Sequence, residues 1–142
     1  MIRVVLAVVL AAAIFGIAVP SVEAVDRDRS AALALSELEA VGETAERLAA
    51  ENDPVAPGES PAATTVTLEP PDPTFVEPGA IRIANDGLRW ESPTGRNRTV
   101  EPAVPIRVES RIVIAERTRL RLSFVRTVGG PVVRTRVDRA RV

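Results

Sequence analysis

The sequence contains no cysteine, no histidine and no tyrosine, and all 18 of its basic residues are arginine. Without cysteine there is no disulfide framework, no Cys-type zinc site and no thiol nucleophile. Without histidine the commonest general base and the commonest metal ligand are gone. Without lysine there is no Schiff-base chemistry, no P-loop lysine and no Ser–Lys dyad. Aromatic residues make up 3% of the chain, too few for stacking platforms that hold single-stranded nucleic acid. Chemistry is left to carboxylates, hydroxyls and guanidinium groups. No Gly-x-Ser-x-Gly, His-Glu-x-x-His or nucleotide-binding glycine loop is present. A hydrolase built on paired carboxylates could still draw on 19 acids, but a small core with few aromatics offers little cleft for it. The expectation is a non-enzymatic protein with no catalytic residue, cofactor, metal or small-molecule substrate.

What is present is a chain of 142 residues, 46% hydrophobic and 26% charged, enough for one small domain and an appendage. The net charge of -1 conceals a strong asymmetry. Residues 20–80 carry 13 acids against 3 Arg, and residues 81–142 carry 14 Arg against 6 acids. An acidic middle and a basic end either face each other or face different partners.

Val4–Val19 is an unbroken run of 16 apolar residues, preceded by Arg3. As a helix it spans about 24 Å, between a secretory h-region and a full membrane span. Residues 1–21 therefore read as a transmembrane anchor or a signal segment. As an anchor, Arg3 keeps the N-terminus cytoplasmic and the remainder lies outside. As a signal, Val22-Glu23-Ala24 offers small residues for cleavage after Ala24, and the protein is secreted.

Residues 22–53 read as an amphipathic helix. Ala34, Leu35, Leu38, Val41, Gly42, Ala45, Leu48 and Ala49 recur at spacings of three and four, forming one stripe of small and medium residues. Glu39, Glu43 and Glu46 flank it, with Glu43 and Arg47 spaced for an ion pair. Glu23, Asp26 and Asp28 suit the start of such a helix. Pro54 stops it, with Asn52 suited to a left-handed cap. If the two halves are continuous they make one helix of about 50 residues, kinked by Pro20.

Residues 54–79 form a proline-rich connector that can hold only an edge strand, for which Thr64–Leu68 is the candidate. From residue 80 to 142 the apolar period changes to two, predicting four to six antiparallel strands with the amphipathic helix over one face. Ile81–Ile83, Asn85-Asp86-Gly87 and Leu88–Trp90 read as a hairpin, the Asx-Gly pair supplying positive φ. Pro93-Thr94-Gly95 marks a second turn, and 106–108 and 112–114 read as strands. The clearest unit is last. Leu120, Leu122 and Phe124 alternate with Arg119, Arg121 and Ser123, and Val133 and Val137 return to meet them after Gly129-Gly130-Pro131.

Arg119, Arg121, Arg134 and Arg136 thus fall on one face of the terminal hairpin, and form the candidate interaction face. Like charges opposed on adjacent strands repel and call for acids, phosphate or water. The helix acids Glu39, Glu43 and Glu46, or Glu109 and Glu116, could supply them internally. An assembly partner or an anionic surface could do so externally. Nucleic acid is not an expected partner. Asn97-Arg98-Thr99 is an N-glycosylation sequon in a turn region.

An apolar N-terminal helix, Pro20 about twenty residues in, an amphipathic continuation to about residue 50 and a proline-rich connection to a sheet together resemble the type IV pilin and pseudopilin superfamily. The likeness is closest to small pilin-like membrane proteins of haloarchaea. Its motif-level support lies in Val4–Val19 and Pro20. The resemblance implies an α+β fold and a structural role at the cell surface. Its partners would be the lipid bilayer and pilus or secretion-assembly subunits, the small-residue stripe packing against partner helices. No basic leader precedes the run and no acid lies near its start, so the resemblance implies an accessory or minor subunit. The alternative is a secreted or envelope binding module whose Arg-rich sheet face holds an anionic polymer or surface.

Overall fold

The apolar run and the amphipathic segment join into a single helix. In the computed structural model, which describes residues 1–138, helix α1 runs Ile2–Glu51 without interruption. At about 1.5 Å per residue it is about 75 Å long. Pro20 sits inside it. The proline lacks the N–H that would bond Gly16, and the next carbonyl, that of Ile17, accepts a hydrogen bond from Ser21 Oγ at 3.1 Å. A hydroxyl that serves a carbonyl beside a proline helps keep such a helix continuous.

Continuity changes the role of the acids at 23–28. They lie in mid-helix rather than at a helix start, so they gain nothing from the dipole. Two of them make tertiary contacts instead: Asp28 pairs with Arg96 at 2.7 Å, and Asp26 accepts backbone N–H groups from the connector. Glu43 and Arg47 do not pair; the ion pair within α1 is Glu23–Arg27 at 3.1 Å. The helix ends one residue before Asn52, whose backbone is extended (φ -137°, ψ 156°) rather than left-handed. Asn52 nevertheless caps the end through its side chain, Nδ2 donating to the Leu48 carbonyl at 2.9 Å.

The remainder is an α+β domain of eight strands: β1 (Ala63–Leu68), β2 (Ala80–Ala84), β3 (Gly87–Glu91), β4 (Arg98–Val100), β5 (Ile106–Arg107), β6 (Ile112–Ile114), β7 (Thr118–Thr127) and β8 (Gly130–Val137). They form two sheets of four rather than one small sheet, in the orders β1-β7-β8-β5 and β4-β3-β2-β6. All pairings are antiparallel except β5 with β8, which is parallel. The proline-rich connector supplies one edge strand, β1, as its composition predicts. Residues 139–142, the end of the expected β segment, lie outside the described residues.

The hairpins follow their turn residues. In β2–β3, Ala84 pairs with Gly87 around Asn85-Asp86, and only Gly87 takes a positive φ (130°). The two Asx residues stay negative, so the glycine alone meets the conformational demand. In β7–β8, Thr127 pairs with Gly130 around Val128-Gly129, and the register sets Leu120 against Val137 and Phe124 against Val133.

Both sheets turn their apolar faces inward, and α1 touches β1 and β7 of one sheet and β3 and β4 of the other. The helix therefore closes the open side of the two-sheet stack rather than covering one sheet face. Ala31, Ala34, Leu38, Val41, Ala45 and Leu48 enter one core with Leu68, Ile81, Ile83, Leu88, Trp90, Leu120, Leu122 and Phe124. Gly42 lies against Pro102 with room for an ordinary Cβ contact. This internal use overturns the expectation that the stripe packs against partner helices. The first part of α1 is the reverse: every residue from Met1 to Val22 is exposed, and the stretch is long and apolar enough to cross a membrane.

Candidate functional site: an arginine face on the outer side of one sheet

Strand alternation that sends Leu120, Leu122 and Phe124 into the core sends Arg119 and Arg121 outward. On β8 the same rule sends Arg134 and Arg136 to the same side. The register makes the arrangement specific. Arg121 lies directly opposite Arg136, Arg134 lies opposite Ser123, and Arg119 pairs across to Thr67 of β1. The four arginines predicted from sequence do share one face, staggered by one pair rather than stacked as two.

A fifth arginine joins them. Arg107 of β5 is in parallel register with Arg134. The alternation of Ile106, Arg107 and Val108 marks its strand, but the parallel partner is far along the chain and only the folded register brings it in. With strands about 4.8 Å apart and alternate residues about 6.7 Å apart, the five guanidinium groups spring from a patch roughly 10 by 13 Å.

None of the five forms an ion pair among the described residues. Of the acids expected to serve them internally, Glu109 lines a shallow pocket together with Arg136 but forms no ion pair with it among the described residues, and the helix acids are elsewhere. Glu46 accepts the Ala103 N–H at 2.7 Å, Glu37 accepts the Glu69 N–H at 3.1 Å, and Glu39 and Glu43 lie exposed on α1, on the other side of the core. Ion pairs instead tie down the second sheet and its loops, through Arg82–Glu91, Arg89–Asp86 and Arg96–Asp28. Among the described residues the basic face makes no ion pair, although Glu109 lies beside Arg136 and the Asp138 N–H donates to the Arg119 carbonyl at 2.8 Å; Arg121 and Arg136 stand opposed, an arrangement that costs stability unless an anion lies near it.

The face also has a definite height along α1. The Arg126 N–H donates to the Val55 carbonyl at 2.9 Å, which sets the hairpin tip near the C-terminal end of the helix. Its other end, at Arg119 and Thr67, lies near Glu69, which is bonded to Glu37. From Val22 to Glu37 the helix rises about 22 Å. That exceeds a Debye length of about 8 Å at physiological salt, so the face lies beyond direct reach of charges at the level of Val22.

Asn97 is exposed in the loop before β4, and its Oδ1 accepts the Ser92 N–H at 3.0 Å. The bond uses the carbonyl oxygen, and Nδ2, the atom a glycan would take, is not engaged in it. Among the described residues no three acids converge as metal ligands.

A membrane-length helix rooted by its second half in a two-sheet β domain defines a class of helix-stalked α+β proteins. Within that class the chain belongs to the family described as a domain of unknown function (DUF7311), whose model matches residues 1–138. No curated protein and no solved structure matches the chain.

Proposed function

We propose that this is a non-enzymatic, single-span membrane protein that holds its β domain outside the cell membrane, as a pilin-like structural or accessory subunit. The observation that carries this reading is the continuity of α1. One helix is bare and apolar over its first two-fifths and is built into the domain core thereafter. Such a stalk transmits position and orientation from the bilayer to the domain without a flexible joint. Arg3 sets the N-terminus on the cytoplasmic side. The domain offers its arginine face as the outward contact, toward an acidic assembly partner.

The rival reading, release after Ala24 as an envelope binding module, uses the same arginine face on an anionic polymer. It is favoured by the opposed Arg121 and Arg136, which form no ion pair among the described residues. It is disfavoured at the cleavage point, because residues 22–24 are helical and Ala24 is half-buried. Mass measurement of the mature N-terminus, with carbonate extraction of membranes, separates the two. The anchor reading expects a membrane-retained chain with Val4–Val19 intact. A soluble form beginning at Val25 overturns it.

A further inference from the structure

The loop between β1 and β2 does more than connect them. Pro70, Pro71 and Pro73 stiffen it. At its tip the backbone N–H groups of Thr74 and Phe75 both donate to Asp26 Oδ2, at 3.0 and 2.8 Å. A carboxylate on α1 thus pins the loop to the stalk, well away from the sheets' core. The pinned residue is an aromatic that nothing covers: Phe75 is 61% exposed. Outside the apolar run the other aromatics, Trp90 and Phe124, are core residues. Beside Phe75 stand Val22 and Val25, 43% and 68% exposed, one helical turn apart on the same side of α1. With Asp26, Arg29 and Thr74 they line one shallow groove. Arg29 is exposed and forms no ion pair among the described residues.

The position of this patch along the helix names its occupant. Val4 to Val22 carries no charge, and Glu23 is the first charged residue beyond it. As a helix that stretch is about 28 Å long, close to the ~30 Å hydrocarbon core of a bilayer. The outer boundary of the core then falls at Val22–Glu23. Asp26 and the loop it holds fall within one further helical turn, inside a headgroup layer about 5–7 Å deep on each side. An aromatic ring and a valine at that depth, with Arg29 about 10 Å beyond Val22 on a side chain long enough to reach back to the phosphates, have the chemistry of an interfacial anchor.

We infer that the Thr74–Phe75 loop is a second membrane contact: Phe75 and Val25 enter the boundary between headgroups and acyl chains, and Arg29 meets lipid phosphate. The inference rests on α1 spanning the bilayer and adds to it a fixed rotation of the domain about its stalk. A helix alone leaves that rotation free, whereas a second contact off the helix axis turns one side of the domain toward the membrane. In a surface assembly it would also set which way the arginine face looks.

The test uses the full chain in phosphatidylglycerol–phosphatidylcholine vesicles, with Phe75→Trp as the probe and the parent, whose sole tryptophan Trp90 is buried, as background. Val128→Trp, at the fully exposed tip of the β7–β8 hairpin, reports water. The expected result is blue-shifted emission from Phe75→Trp, quenched about twofold more by lipids brominated near the headgroup than by lipids brominated near the chain end. Val128→Trp should be unquenched by either. Asp26→Ala in the Phe75→Trp background should release the loop and reduce the quenching while the protein stays carbonate-resistant. Water-like, unquenched emission from a carbonate-resistant protein overturns the loop contact and leaves the anchor standing. Blue-shifted but unquenched emission means that protein, such as a second copy, covers the residue, and overturns it as well. Extraction of the chain by carbonate overturns the spanning reading and the loop contact together.

Discussion

Leu38→Ala is the sharpest perturbation of the joint between stalk and domain. Leu38 is on α1, fully buried, and shares a core with residues of both sheets. The substitution removes three carbons, worth about 2.4 kcal/mol at about 0.8 kcal/mol each. The site is held between a rigid helix and two sheets and cannot collapse freely, so a cavity term brings the loss to roughly 3–5 kcal/mol. The better helix propensity of alanine offsets only a few tenths of a kcal/mol. For a domain whose whole stability is about 5–15 kcal/mol this is a large share. Leu33→Ala is the internal control: same residue type, same helix, five residues away and 48% exposed. It should cost at most about 1 kcal/mol. The assay is urea unfolding of the full chain in non-ionic micelles, followed by Trp90 fluorescence from within the same core. With m of about 1–3 kcal/mol/M, Leu38→Ala should lower the midpoint by roughly 1–5 M. If the two alanine variants shift the midpoint equally, the stripe is not packed against the sheets, and assembly with other helices becomes its remaining explanation.

Other outcomes follow from particular contacts. Thr135 is buried and its hydroxyl has no partner among the described residues, so Thr135→Val, which keeps the shape and the β-branch, should raise stability by about 1–2 kcal/mol in the same urea titration. Gly79 and Gly42 should respond oppositely to alanine. A Cβ at Gly79 would lie 2.5 Å from the Glu91 carbonyl oxygen and the Trp90 ring, and should destabilise; one at Gly42 meets Pro102 at an ordinary 3.5 Å and should gain up to about 1 kcal/mol of helix propensity. Arg136→Glu places an acid opposite Arg121 and should stabilise the isolated protein by about 0.2–1 kcal/mol while weakening retention on an anionic column; loss of stability would mean the arginine pair is not in repulsive contact. Arg→Gln at 119, 121, 134 and 136 should leave the melt within about 0.5 kcal/mol and abolish salt-sensitive assembly, whereas an unchanged assembly would mark the face as merely solvated. Ala11→Arg should raise the insertion free energy by roughly 2.5–3.5 kcal/mol and shift the chain out of the membrane fraction.

Much of this architecture is written locally. The 16 uninterrupted apolar residues of Val4–Val19 leave no side chain to satisfy water, and the three- and four-residue spacing from Ala34 to Ala49 fixes which side of the continuing helix must be covered. The last hairpin is legible for the same reason. Its period of two assigns every arginine to one side once Leu120, Leu122 and Phe124 are assigned to the other. Misreadings arose where a local motif has more than one solution. Asn52 can cap a helix by backbone or by side chain, and the fold uses the side chain. The acids at 23–28 look like a helix start only if the chain breaks at Pro20. A single proline costs one hydrogen bond, and Ser21 eases the strain beside it.

The tertiary structure decided what composition could not encode. A short strand such as Ile106–Arg107 shows its alternation but not its partner, which is set by the space left beside β8, and that is how Arg107 enters the basic face. The division into two sheets depends on where the helix sits, because a helix wedged at the open side needs an apolar wall on each flank. The same placement keeps Glu39 and Glu43 away from the arginines of the terminal hairpin, so the acidic middle and the basic end of the chain meet through Asp28 and Arg96 instead. The loop tip at Phe75 illustrates the general reason. Nothing local distinguishes an exposed phenylalanine from a buried one; that is settled by Asp26, 49 residues away, holding the backbone where the ring meets no part of the core.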